Sequence, residues 1–217
     1  MADKRQNNDL MIDFETMGQN ESNCAVVDCA ALFFEWSRFV SDTPYTFDEL
    51  LSKTRRFKLN VKEQVVDHQY VVEPETVKFW QSTDPDTRAR ISPKKDDISV
   101  KQFCNQFIEM VATNKKVDYW WSRSNNFDPP IIYRLMRNAG KYHDFNQYVM
   151  FQRLRDARTF IDAKFDFETP NGFVPVSDEE YWTKTFKPHN SEHDVVADVL
   201  RLQAITRAEN DMEQTKR

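Results

Sequence analysis

The stretch "LMIDFETMG" (residues 10–18) sets two carboxylates, Asp13 and Glu15, two positions apart in a short apolar run that stops at a glycine. The run reads as a strand, and residues two apart on a strand project from the same face. Two like charges side by side at the end of a buried strand either face water or share something positive between them.

The rest of the chain supplies a folded setting. Its 217 residues suffice for one compact domain over 1–217 with a real core. Aromatic residues make up 13%, with 17 Phe and 5 Trp, which argues against disorder although 30% of residues are charged. No apolar run approaches the roughly 20 residues that span a bilayer, and "MADKRQNNDL" lacks the apolar centre of a signal peptide. The expectation is a cytoplasmic protein with no membrane partner. Cys24, Cys29 and Cys104 are an odd number without a CxxC pair, which fits reduced, buried thiols rather than disulfides or a zinc knuckle. A formal charge of -5 argues against a protein that binds nucleic acid by coating its phosphates, but permits an enzyme that grips a strand locally. The basic clusters "KTRRFK" (53–58) and "RARISPKK" (88–95) read as solvated surface.

Outward from the first strand, "SNCAVVDCAALFF" reads as its hairpin partner across the polar loop "GQNES". A third strand is expected near the end of "FDELLSKTRRFKLNV". The proline and acidic first turn of "EPETVKFWQS" predict a short helix, and "STDPDTRARISPKKDD" reads as an exposed loop. In "SVKQFCNQFIEMVATN", Val100, Phe103, Phe107 and Met110 recur at helical spacing, with Ser99 as N-cap. "VDYWW" reads as a buried strand. "SRSNNFDPP" is a loop before the helix "PPIIYRLMRNAG", which opens on proline and closes on glycine. "LRDARTFIDA" is ambiguous between strand and helix, "FETPNGFVPVSDEEYW" reads mostly as loop, and a long terminal helix follows from "HNSEHD". Strands and helices alternate, so the predicted class is α/β.

Acids recur where a plain core would not place them: Asp13 with Glu15, Asp128 in "NNFD", and the "HNSEHDVVAD" start of the last helix. Singly, each has a bland reading as a turn or cap residue. Together, "DFET", "NNFD" and the last helix resemble, in order, the motifs of the DEDDh exonuclease superfamily, across nearly the whole chain. "FWQSTDPDTRAR" and "RDARTF" also resemble the branch that contains the T-even phage exonuclease A. The resemblance implies a ribonuclease H-like three-layer fold, a mixed central sheet flanked by helices. It also implies 3′-5′ exonuclease activity on the 3′ end of single-stranded DNA with two divalent ions, Mg²⁺ or Mn²⁺. Such ions activate the attacking water and stabilise the leaving oxygen, and hard oxygen ligands suit them.

By the same resemblance, Asp13 bridges both ions, Glu15 binds one and orients the water, Asp128 binds the second, and an Asp of the last helix completes the first site. A His acts as general base, a task that suits its near-neutral pKa. Thr16 and Met17 match positions that touch the terminal nucleotide. Phe127 packs below, and Asn126, Trp121 and Arg123 are weaker strand-holding candidates, with Trp121 equally readable as core. The family's His-x4-Asp spacing fits twice, as His189 with Asp194 or as His193 with Asp198. The first register aligns Val195, Val199, Leu202 and Thr206 on one face; the second turns polar Gln203 inward. The helical-face argument favours His189 and Asp194. In that register Ser191 and Glu192 replace the family's usual Ala-Leu, and the second motif lacks its His-Asn-Ala lead-in.

An exoribonuclease of the same family is the nearest alternative, since the same cage cuts either sugar. A catalytically inactive module that binds nucleic-acid ends is the reading from another class. An HD-type phosphohydrolase, suggested by His193-Asp194, ranks low because His68 and His143 lie in poorly matching contexts.

Overall fold

The computed structural model describes residues 8–114, 117–164 and 186–215. Its centre is strand β1 (Asp9–Thr16), hydrogen-bonded on both sides within a five-stranded sheet. Strands β2 (Val26–Phe34), β3 (Arg55–Lys58), β4 (Trp120–Ser122) and β5 (Leu154–Asp156) complete it in the order β3-β2-β1-β4-β5. The β1–β2 and β2–β3 pairs are antiparallel; β1–β4 and β4–β5 are parallel. This is the mixed sheet that the ribonuclease H-like reading calls for.

Alternation along β1 divides the core in two. Leu10, Ile12 and Phe14 pack with Phe103 and Phe107 of α5 (Val100–Thr113), Ile131 and Leu135 of α6 (Asp128–Asn138), and Phe145 of α7 (Tyr142–Tyr148). Met11 faces the other way, toward α1 (Phe47–Lys53), α8 (Ala157–Lys164) and α9 (Ser191–Thr215), with Val195, Val199 and Leu202 buried beneath it. Asp13 and Glu15 continue that second face, so α9 is the helix that covers them.

Local signals explain most elements. Ser99 and Gln102 form a reciprocal capping box at the start of α5. "LRDARTFIDA" resolves into both of its readings, β5 followed by α8. The stretch "FETPNGFVPVSDEEYW" lies outside the described residues.

Two expectations need correction. The "STDPDTRARIS" loop contains helix α4 (Pro85–Ile91), whose N-cap Asp84 accepts from the amides of Asp86 and Thr87 while Pro85 occupies the first turn. That is a helix-start signature with both of its parts in the sequence. Gln203, counted as a cost on the inward face of α9, is buried but satisfied. Its side chain accepts from Tyr45 N at 2.8 Å and donates to Tyr45 O at 3.0 Å. Helical α1 (Phe47–Lys53) precedes β3, and α2 (Val61–His68) and α3 (Pro74–Ser82) follow it. Among the described residues no helix is long and apolar enough to cross a membrane.

Candidate active site

The acid end of β1 is built by a break in the ladder. Glu15 pairs with Asp28, but Thr16 pairs with Val26, so a bulge interrupts the alternation between Glu15 and Thr16. Bulges of this kind re-aim the chain beside functional sites. Beyond it, Thr16 is buried: its hydroxyl donates to Gly18 O at 2.7 Å and its carbonyl accepts from Trp80 Nε1 at 2.9 Å. Met17 is half-buried against Val27, Trp80 and Ile91.

Three carboxylates converge in front of this end. Ligand oxygens of Asp13, Glu15 and Asp194 lie within 4.8 Å of one another, and all three residues remain partly exposed. Asp128 stands beside them at the start of α6, buried, accepting from Phe14 N at 3.3 Å. Proline at the first turn of α6 removes an amide that would otherwise need a partner.

The electrostatics record the crowding. Burial, then Asp128, Glu15, Asp194 and Asp198, raise the Asp13 carboxyl well above the usual range. Burial, Asp194, Asp28 and Asp128 raise Glu15 likewise, against a lowering pull from Arg90. Burial foremost pushes Asp128 up to about 8, and burial with Asp198 pushes Asp194 up to about 7. Acids this close favour protonation until a cation joins them. The donors are carboxylate oxygens, the set that suits a hard divalent ion.

The two registers of the last helix separate in space. Asp194 joins Asp13 and Glu15, and its Oδ2 accepts from Asn190 N at 3.0 Å. Asp198, one turn further and buried, is bonded by Arg123 and by Arg201. His189 precedes the cap residue Asn190 with φ 60°, in the left-handed region, and is exposed. Its ring meets Phe79 at 4.9 Å and Trp80 at 6.2 Å, edge to face. Because Trp80 bonds Thr16, those rings tie His189 to the acid end of β1. His193 packs between Phe47 and Phe186, and its Nδ1 accepts from Lys187 N at 3.2 Å. Partial desolvation lowers the pKa of both histidines, that of His189 while the residue keeps exposed surface.

The remaining candidates are scattered. Asn126 is exposed and Phe127 is partly buried against the main core. Trp121 belongs to the core, stacked on Trp36 at 5.4 Å and donating to Asp9 Oδ2 at 2.9 Å. Sequence reasoning missed Asp28, a lone acid in the apolar run "AVVDCAALFF" and only 1% exposed. Its position amid apolar neighbours was the available signal. It also missed Arg56 and Arg90, which turn inward from the two basic clusters read as surface.

Comparison with known proteins gives three findings. The family described as the 3′-5′ exoribonuclease Rv2179c-like domain matches residues 8–204. An exodeoxyribonuclease of Enterobacteria phage T4 is 29% identical over 213 residues, covering 89% of this chain and 87% of that protein. E. coli exonuclease I, solved with a 5cy-dT13 oligonucleotide, superposes with a TM-score of 0.59 at 14% identity over 96% of this chain. Its complex with a dT13 oligonucleotide gives 0.54 at 18% identity over 94%. The chain spans only 42% and 40% of those two structures, so the likeness is one of fold.

Proposed function

Because the chain belongs to the family of Rv2179c-like 3′-5′ exoribonuclease domains and is thus a nuclease of the exonuclease class, we propose that it removes mononucleotides from the 3′ end of single-stranded DNA. The observation that carries the reading is the convergence of Asp13, Glu15 and Asp194, with Asp128 beside them. We assign these four to hold two divalent ions, Mg²⁺ or Mn²⁺. When bound, such ions supply an activated water and charge stabilisation at the leaving oxygen.

The chain's own groups do the rest. His189, whose pKa is lowered by partial desolvation, is neutral at pH 7 and free to accept the proton of the attacking water. His193, the alternative base, has its Nδ1 engaged by the Lys187 amide, which favours His189. Thr16, Met17, Asn126 and Phe127 are assigned to the terminal nucleotide. With its polar groups bonded internally, Thr16 acts by holding the backbone turn on which Met17 sits. The net charge of -5 fits a grip confined to the strand's end. The three free, buried cysteines accord with a cytoplasmic setting, the host's if the chain is phage-encoded.

DNA as substrate is supported by the T4 exodeoxyribonuclease relative, and RNA, the second reading, by the family's description. Matched DNA and RNA oligomers, labelled at either end and digested with Mg²⁺, distinguish them. Mononucleotides released from the DNA 3′ end are expected. Faster turnover of RNA transfers the assignment to an exoribonuclease, and no hydrolysis by folded protein with Mg²⁺ or Mn²⁺ leaves an end-binding module.

A further inference from the structure

We infer that Asp28 and Arg56 are positioning residues, which lock the first turn of α9 to the sheet through Ser191 and thereby set Asp194 beside Asp13 and Glu15. The inference rests on the metal-cage reading and adds residues to it that touch neither ion nor substrate.

Asp28 stands where strand stability alone would not put an acid. It lies directly across the ladder from Glu15, and Val26, Val27, Cys29 and Ala30 around it are fully buried. Like charges in facing positions destabilise a sheet, and a buried ion pair is often replaceable by apolar residues at no loss. What an apolar residue cannot supply is direction. Ser191 Oγ donates to Asp28 Oδ1 at 2.8 Å, inside the protein, across 163 residues of sequence. Arg56 holds the other oxygen, with Nε donating to Oδ2 at 2.7 Å and Nη2 bonding it as well.

The lock extends to a second element. Arg56 also donates to the carbonyl of Arg90 at 3.1 Å, and Arg90 pairs with Glu192 at 2.6 Å. Thus β2, through Asp28, and α4, through Arg90, grip residues 191 and 192, and Arg56 of β3 braces both. Asp194 follows Ser191 by three residues, less than one helical turn, so a shift at Ser191 passes to the carboxylate nearly undamped. On its far side Asp198 is fixed by Arg123 and Arg201. Asp194 is therefore held between two anchors while making its own approach to Asp13 and Glu15.

Ser191→Ala and Asp28→Asn test the lock in the full chain. Three quantities are read: Mn²⁺ affinity without substrate by electron paramagnetic resonance, melting of the metal-free protein, and the Mg²⁺ dependence of oligonucleotide hydrolysis. Ser191→Ala is expected to stay folded while Mn²⁺ affinity falls about 10- to 100-fold, as for other residues that orient metal ligands. Half-saturating Mg²⁺ should rise by a similar factor, KM for the oligonucleotide should change far less, and excess Mn²⁺ should restore the rate. Should Asp28→Asn fail to fold, Ser191→Ala, which removes one hydroxyl, carries the test. Wild-type metal affinity and Mg²⁺ dependence in folded Ser191→Ala overturn the proposal, even if its melting point drops. A wild-type protein whose Mn²⁺ binding needs Asp13 but which degrades no nucleic acid defeats the nuclease reading alone. The Mn²⁺ affinities still decide the lock. Failure of the wild type to bind Mn²⁺ overturns both.

Discussion

Asp194 and Asp198 lie one turn apart on α9, yet Asp198 is bonded by Arg123 and Arg201 while Asp194 offers its carboxylate to Asp13 and Glu15. Asparagine should therefore act oppositely at the two positions. Asp194→Asn should abolish metal-dependent hydrolysis and leave the metal-free protein as stable as before or more so. Asp198→Asn removes the buried charge that Arg123 and Arg201 bond and should cost about 3 kcal/mol of stability. Thermal melts alongside oligonucleotide digestion separate the two effects; a hydrolysis loss confined to folded Asp198→Asn would reverse the register.

The stability of the metal-free protein should depend on pH in a direction fixed by the acids. Asp194 and Asp128 are pushed up to about 7 and about 8, while an unfolded chain releases the same protons near pH 4. Between those values the folded state holds more protons, so stability declines as pH rises from about 4 to about 8. Scanning the melting temperature across that range in chelator should show the decline. Mn²⁺ should flatten it, because the ion replaces the protons as neutralising charge.

Asp13 carries the most crowded carboxyl, facing three other acids besides Glu15. Asp13→Asn is expected to eliminate hydrolysis and to raise the melting temperature in chelator at pH 8, with a smaller rise at pH 5. Retention of the wild-type rate in this variant would show that the metal cage lies elsewhere.

Histidine replacement addresses the proton acceptor. His189→Asn should lower the single-turnover rate by about 10²- to 10⁴-fold, the usual worth of a general base. His193→Asn, whose ring packs between Phe47 and Phe186, should mainly lower stability. Rates measured at saturating Mg²⁺ on both variants decide which imidazole takes the proton.

Gln203→Leu should destabilise the fold by about 1–3 kcal/mol, because it leaves the buried amide and carbonyl of Tyr45 without partners. The specific rate of the folded fraction should be unchanged. Equilibrium urea unfolding with activity normalised to folded protein checks both parts.

The sequence made legible what periodicity and short-range chemistry control. Two-residue alternation put Asp13 and Glu15 on one face, and helical spacing behind the Ser99 N-cap and the Pro-Pro start placed α5 and α6. What it concealed depends on distant partners. Residues 194 and 198 share a helix face, and the face argument that favoured Asp194 could not show that Arg123 and Arg201 bond Asp198. Gln203 looked misplaced because Tyr45, which satisfies it, is 158 residues away. Asp28 passed as part of an apolar strand because its partners come from β3 and α9. The α4 helix is a different case, since its Asp-Pro start was local and readable.

With His189 assigned as proton acceptor, its left-handed backbone sets two selective demands against each other. A side chain in that conformation costs on the order of 1 kcal/mol relative to glycine, although histidine tolerates it better than most residues. A library enriched for heat tolerance alone should therefore drift toward glycine at 189, and its survivors would be sturdier proteins without the imidazole. Engineering for shelf life and engineering for turnover would part company here for a reason of backbone, where at Asp13 the reason is charge.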